Sequence, residues 1–168
     1  VVKQADVVAL LALLPEAFPG TAAEANFRCY EPRCGHGSSL SPAMHALVAA
    51  RLGDTELALS YLDRIARLDP DPNAAGGVRI AGLGGIWQAI VLGFGGLDIS
   101  GDTLAIDPKL PPRWRSLSYR VTFRGREIAV RVGEGKVRAT LVQGEPIEVR
   151  VGGASNMLAP DAPLEAVA

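Results

Sequence analysis

The sequence predicts an α+β fold, with helices first and strands second. Apolar residues recur at helical spacing as far as Phe94. After Gly95-Gly96 the period drops from 3.6 to 2. Gly-centred turns then divide the later runs. Helices segregated ahead of strands mark an α+β chain or two successive units.

The helical half divides into five segments. The first spans about Lys3 to Leu14 and stops at Pro15; between Ala5 and Leu14 its only polar residue is Asp6. A helix apolar nearly all round expects neighbours on every side, so the chain reads as a piece of a longer protein. The second segment runs from Ala22 to Cys29, after a Pro19-Gly20 turn, with Thr21 as its cap. A polar loop covers Tyr30 to Ser39. The third helix starts near Ser41 and ends before Gly53, a C-cap glycine. Asp54 caps the fourth, Thr55 to Leu68, whose inner face is Leu57, Tyr61, Ile65 and Leu68. A breaker-rich loop from Asp69 to Gly77 precedes the fifth, Leu83 to Phe94. There Leu83, Ile86, Trp87, Ile90, Val91 and Phe94 share a stripe, and Gly82, Gly84, Gly85 and Gly93 suit a close approach of backbones or a ligand.

The strand half predicts an antiparallel sheet with one buried face. Its inward residues are Leu104 and Ile106, then Tyr119, Val121 and Phe123, then Ile128, Val130 and Val132. Two more runs add Val137, Ala139 and Leu141, and Ile147, Val149 and Val151. Turns fall at Arg124-Gly125-Arg126, Gly133-Glu134-Gly135 and Gln143-Gly144-Glu145, and a loose tail is expected from Gly152. The expected division is 1–96 for helices, 97–151 for the sheet and 152–168 for a flexible tail.

Composition narrows the function classes. With 17 basic and 18 acidic residues, a net charge of −1, nothing calls for nucleic acid or an anionic membrane. Hydrophobic residues at 48% against 21% charged describe a folded chain rather than a disordered one. Cys29 and Cys34 lack metal-pair spacing, so no metal is expected; a disulfide across that short turn is geometrically conceivable, but the reading preferred is two reduced thiols in a cytoplasmic protein. Val1 to Asp6 carry no signal-peptide pattern, and the apolar run from Val7 to Leu14 is too short to span a bilayer.

The densest chemistry lies in His36-Gly37-Ser38-Ser39-Leu40-Ser41-Pro42-Ala43. Hydroxyls around a glycine at a helix entrance serve either as an ordinary N-cap or as an anion site, where orphan N–H groups and the helix dipole favour negative charge. His45 reads as a core histidine on a packed helix, and it is too far from His36 for an i, i+4 metal pair. Glu31 is either a loop carboxylate in a site or the salt-bridge partner of Arg28 or Arg33. Lys3 and Gln4 either solvate a helix end or grip sugar hydroxyls. Arg79, in a glycine-rich turn, is either a surface arginine or a phosphate fork.

Six segments occur in an informative order: Lys3-Gln4-Ala5-Asp6-Val7, Tyr30-Glu31-Pro32-Arg33, His36 to Pro42, Ala66-Arg67-Leu68-Asp69, Gly84-Gly85-Ile86-Trp87-Gln88-Ala89 and Gly93-Phe94-Gly95-Gly96-Leu97. Together they resemble the C-terminal part of glycoside hydrolase family 65, which includes maltose, trehalose and kojibiose phosphorylases. Leu110-Pro111-Pro112-Arg113-Trp114 and Phe123-Arg124-Gly125-Arg126 are similar to that family's small C-terminal β domain. The resemblance implies the last helices of an (α/α)6 barrel followed by that domain. It implies an inverting reaction in which inorganic phosphate, as co-substrate and with no cofactor, attacks the anomeric carbon of an α-glucoside. The family's general acid, a glutamate, lies upstream of every residue present here, so no catalytic residue is expected in this chain; the alternatives are an α-glucoside hydrolase of the same family, with Glu31 as the nearby candidate base, or a non-catalytic truncated scaffold. Carried over by motif, Ser38 and Ser39 bind phosphate, Gly37 allows its close approach, and Lys3 and Gln4 hold the glucose ring. Arg79 stands where the family's phosphorylases commonly have histidine, and it offers phosphate a permanently charged fork. The implied partners are a disaccharide, phosphate and the rest of the barrel, with a homodimer for the full-length protein.

Overall fold

The computed structural model describes residues 5–36, 40–68 and 80–167. The chain divides into two compact units, Val1–Gly93 and Phe94–Ala168, a boundary three residues before the expected one. The order is α+β: five helices, then eight strands, among the described residues. No helix among those residues is long and apolar enough to cross a membrane.

In the first unit, α1 (Asp6–Leu13) buries Val8, Leu11 and Ala12 and gives way to a 3-10 turn opened by Pro15. α2 (Ala22–Tyr30) forms as expected, although the Thr21 side chain makes no capping hydrogen bond. A second 3-10 turn, Glu31–Arg33, occupies part of the expected polar loop. α3 (Leu40–Arg51) lies at the centre, with every residue from Ser41 to Ala50 buried. Its alanines let α1, α4 and α5 all pack against it. Gly53 ends the helix with φ of +85°, in the left-handed region that glycine adopts without cost. The Asp54 carboxylate accepts the Leu57 N–H at 3.1 Å and opens α4 (Thr55–Leu68). Ala58, Tyr61 and Ile65 form the buried stripe of α4.

The fifth helix departs from expectation. α5 begins at Ile80, runs to Gln88, and widens into a π turn over Ala89–Phe94. Its inner face is Gly82, Gly85 and Ala89, while Leu83 and Trp87 are 51% and 48% exposed. Packing on α3 explains the inversion. A β-carbon on Gly85 would stand 2.4 Å from the Ala43 β-carbon, so the helices approach only along the glycines. Within the π turn that follows, Ala89 and Val91 are buried.

The second unit holds two four-stranded sheets rather than the single sheet expected. One has the order β1 (Leu97–Asp98), β2 (Leu104–Ile106), β6 (Ile147–Val151), β7 (Ala154–Leu158). The other has β3 (Ser116–Phe123), β4 (Arg126–Gly133), β5 (Lys136–Gln143), β8 (Leu164–Val167). β2 pairs with β6 in parallel, a correction to the all-antiparallel expectation. Phe123↔Arg126 and Gly133↔Lys136 close two-residue hairpins. Their turns, Arg124-Gly125 and Glu134-Gly135, have positive φ at both positions, the primed geometry that matches strand twist. Ile128, Val130, Val132, Val137, Ala139 and Leu141 alternate inward as the period-2 pattern requires. The segment from Gly152 is not a loose tail. β7 pairs with β6 and β8 with β5, so their ladders satisfy the backbone there.

Candidate functional site

The six residues assigned to phosphate and sugar, Lys3, Gln4, Gly37, Ser38, Ser39 and Arg79, lie outside the described residues. What is described is the polar cluster on both flanks of the Gly37–Ser39 interval, drawn from the α2 end, the α3 start and the middle of α4.

His36 holds φ at +45°, uncommon for a side-chain-bearing residue. Its Nδ1 lies 2.9 Å from the Ser41 hydroxyl, a bond that spans the serine-rich interval from one side to the other. Its Nε2 lies 3.4 Å from the Tyr61 hydroxyl, which in turn donates to Glu31 Oε1 at 2.5 Å. His45 is fully buried; its Nδ1–H donates to the Ser41 carbonyl at 2.7 Å, because a carbonyl can only accept. Ser41 therefore serves two histidines, one through its hydroxyl and one through its backbone. The rings of His36, His45 and Tyr61 pack together, with centroids 4.6 Å, 5.0 Å and 5.1 Å apart in pairs.

Both histidines are held neutral. Burial is the first cause for His36, assisted by His45 and Arg64 and opposed by Glu31, and it pushes the imidazole down to about 4. Burial lowers His45 as well, against its bond to Ser41. The Tyr61 phenol is pushed well up, first by burial and then by its bond to Glu31, so it remains a proton donor. The His45 Nε2 is buried and has no hydrogen-bond partner among the described residues.

Glu31 accepts from Tyr61 rather than pairing with Arg28 or Arg33. Arg28 pairs with Glu24 at 2.5 Å, and the Arg33 guanidinium donates to the Cys29 carbonyl. Tyr61 was legible only as a core position on α4. Its hydroxyl reaches a carboxylate thirty residues away, and no sequence spacing announces that contact. His45 behaves as the buried core histidine its helix suggested.

Chemically the cluster is a hydrogen-bonded frame at a helix entrance, with neutral histidines and one acidic group already engaged. Its one carboxylate, Glu31, accepts from Tyr61 through Oε1, and His36 and Ser41 are bonded to each other on either side of a Gly-Ser-Ser interval.

The profile of the glycosyl hydrolase family 65 central catalytic domain matches residues 1–88, and that of the family's C-terminal domain matches residues 97–156. The chain is 40% identical over 148 residues to a kojibiose phosphorylase of Halothermothrix orenii, covering 86% of this chain and 19% of that protein. It is 40% identical over 153 residues to the maltose phosphorylase of Bacillus subtilis, covering 89% and 20%. Among solved structures, a putative kojibiose phosphorylase from human microbiome superposes with a TM-score of 0.87 at 31% identity, covering 99% of this chain and 22% of that one. The chain thus spans about a fifth of the length of these relatives. With the two profiles in family order along residues 1–88 and 97–156, the chain belongs to glycosyl hydrolase family 65.

Proposed function

We propose that this chain is the C-terminal part of an inverting disaccharide phosphorylase that cleaves an α-glucoside with inorganic phosphate. On this reading it supplies the phosphate side of the site: Ser38 and Ser39 donate to phosphate, Gly37 admits it, and Arg79 forks it. Lys3 and Gln4 hold the glucose ring. The general acid and the remaining barrel helices come from upstream sequence, so the chain alone is inactive. The longer protein would work as a cytoplasmic homodimer without a cofactor.

One observation carries the reading: the His36–Ser41 bond that bridges the serine-rich interval at the mouth of α3. A site for a diffusible anion benefits when its donors are held in place before the anion arrives. The disaccharide phosphorylases among the relatives agree with it. A hydrolase of the same family would need a carboxylate base here, and Glu31, which accepts the Tyr61 proton at 2.5 Å, is the nearby candidate.

Two measurements test this. Phosphate titrated by calorimetry should bind the wild type and lose about tenfold or more in affinity in the Ser38→Ala/Ser39→Ala double variant. Unchanged binding would sink the phosphate site. In the longer protein, glucoside cleavage should require phosphate and release a sugar phosphate. Release of free glucose in its absence would establish hydrolysis instead.

A further inference from the structure

The polar cluster carries more than a frame, because its hydrogen bonds run in one direction. Tyr61 has a single hydroxyl proton, and the short bond to Glu31 uses it. Towards His36 the phenol oxygen can therefore only accept, so the His36 Nε2 at 3.4 Å bears the ring proton. A neutral imidazole with its proton on Nε2 leaves Nδ1 bare. Nδ1 then accepts from the Ser41 hydroxyl at 2.9 Å. The order is Ser41 to His36 to Tyr61 to Glu31, each hydroxyl or N–H donating to the next group. Glu31 is the sink that sets the sense of the whole chain.

We propose that His36 is a positioning residue for phosphate, locked by Tyr61 and Glu31 in the Nε2–H tautomer so that it grips Ser41 across the Gly37–Ser39 interval. The phosphate role rests on the function proposed above; the tautomer and the grip do not. Three further observations support the lock. His36 sits at φ +45°, a conformation that needs a restraint to persist. The Ser41 backbone is fixed independently by His45 at 2.7 Å, so the grip pulls on a rigid post. His45 and Tyr61 lie against the His36 ring, which limits its rotation. The positive charge of Arg64 further disfavours an imidazolium at His36.

A consequence distinguishes this from a merely structural role. Tyr61→Phe and Ser41→Ala remove different groups on different helices, yet both act by releasing the same imidazole. Their effects on phosphate should therefore be strongly non-additive. Glu31→Gln offers Tyr61 a donor as well as an acceptor, so it no longer fixes the direction of the chain and should weaken the grip.

The experiment uses the full-length protein that contains this chain, with nitrogen-15 in its histidines. The ring nitrogen shifts of His36 at neutral pH should show a protonated Nε2 and a bare Nδ1, and Tyr61→Phe should disturb that pattern. A bare Nε2, or an imidazolium, overturns the proposal. In steady-state assays Tyr61→Phe and Ser41→Ala should each raise the KM for phosphate about fivefold or more. The KM for the glucoside should stay within about twofold, and the double variant should be little worse than either single one. Equal increases in both KM values, additive effects or an unchanged phosphate KM overturn it. Should the wild type cleave glucoside without phosphate, the proposed function and the phosphate role fail together. The nitrogen shifts would still decide the tautomer and the grip.

Discussion

His36 shows how a single side chain couples burial, backbone and charge. Its pKa in the fold lies near 4 against an ordinary 6.5, so between those values the unfolded chain binds more protons than the folded one. Stability is then full above about pH 6.5 and falls as the pH drops towards 4. His45 adds to the same trend, being lowered by burial. Because His36 is partly exposed, solvent screening leaves its contribution at about 1 kcal/mol. Thermal melts should show the unfolding midpoint dropping by about 2–4 °C across that window beyond the general acid trend. His36→Asn tolerates the left-handed backbone but does not titrate, so it should flatten part of this dependence. An identical pH profile in that variant would show that His36 does not contribute. Glu31 carries a related lesson: its neighbours in sequence, Arg28 and Arg33, look like its partners, yet both turn to other groups.

Among the elements, α5 shows what period alone misses. Its large apolar residues follow a helical stripe, and the stripe predicts an inward face of Leu83, Ile86 and Trp87. The fold instead lays Gly82, Gly85 and Ala89 against α3, because Ala43 sits where any side chain on Gly85 would go. Gly85→Ala should push α5 off α3 and cost about 1–3 kcal/mol, read from denaturant unfolding. Adding Ala43→Gly should recover part of that loss, since it removes the opposing β-carbon. A neutral Gly85→Ala would mean the helices can separate freely, contrary to the packing described. The hairpins were easier to foresee. Arg124-Gly125 and Glu134-Gly135 stand between alternating runs, and each two-residue turn fixes the register of its neighbours. In the sequence Gly152-Gly153 reads as an ending, whereas in the fold it is another positive-φ turn leading into β7.

For the whole molecule, the helical unit leaves much apolar surface uncovered. Leu13 is 63% exposed, Ile80 81%, and Leu10 and Leu83 add to the uncovered area. Such a surface is unusual for a self-sufficient monomer. If the chain is the C-terminal part of a longer enzyme, as proposed, it should associate when isolated. Light scattering should then show mass rising with concentration; a clean monomer would weigh against the fragment reading. The α+β order, the five helices, most strands and the family were legible in residues 1–168, because each rests on local periodicity, turn chemistry or ordered motifs. Local patterns act between residues a few positions apart, so they survive reading one window at a time. The pairing of β2 with β6, the inward face of α5, and the contacts of Tyr61 with Glu31 and His36 join residues far apart in the chain. Only packing decides those, because excluded volume at Ala43 and the competition for one phenolic proton exist only once the helices meet.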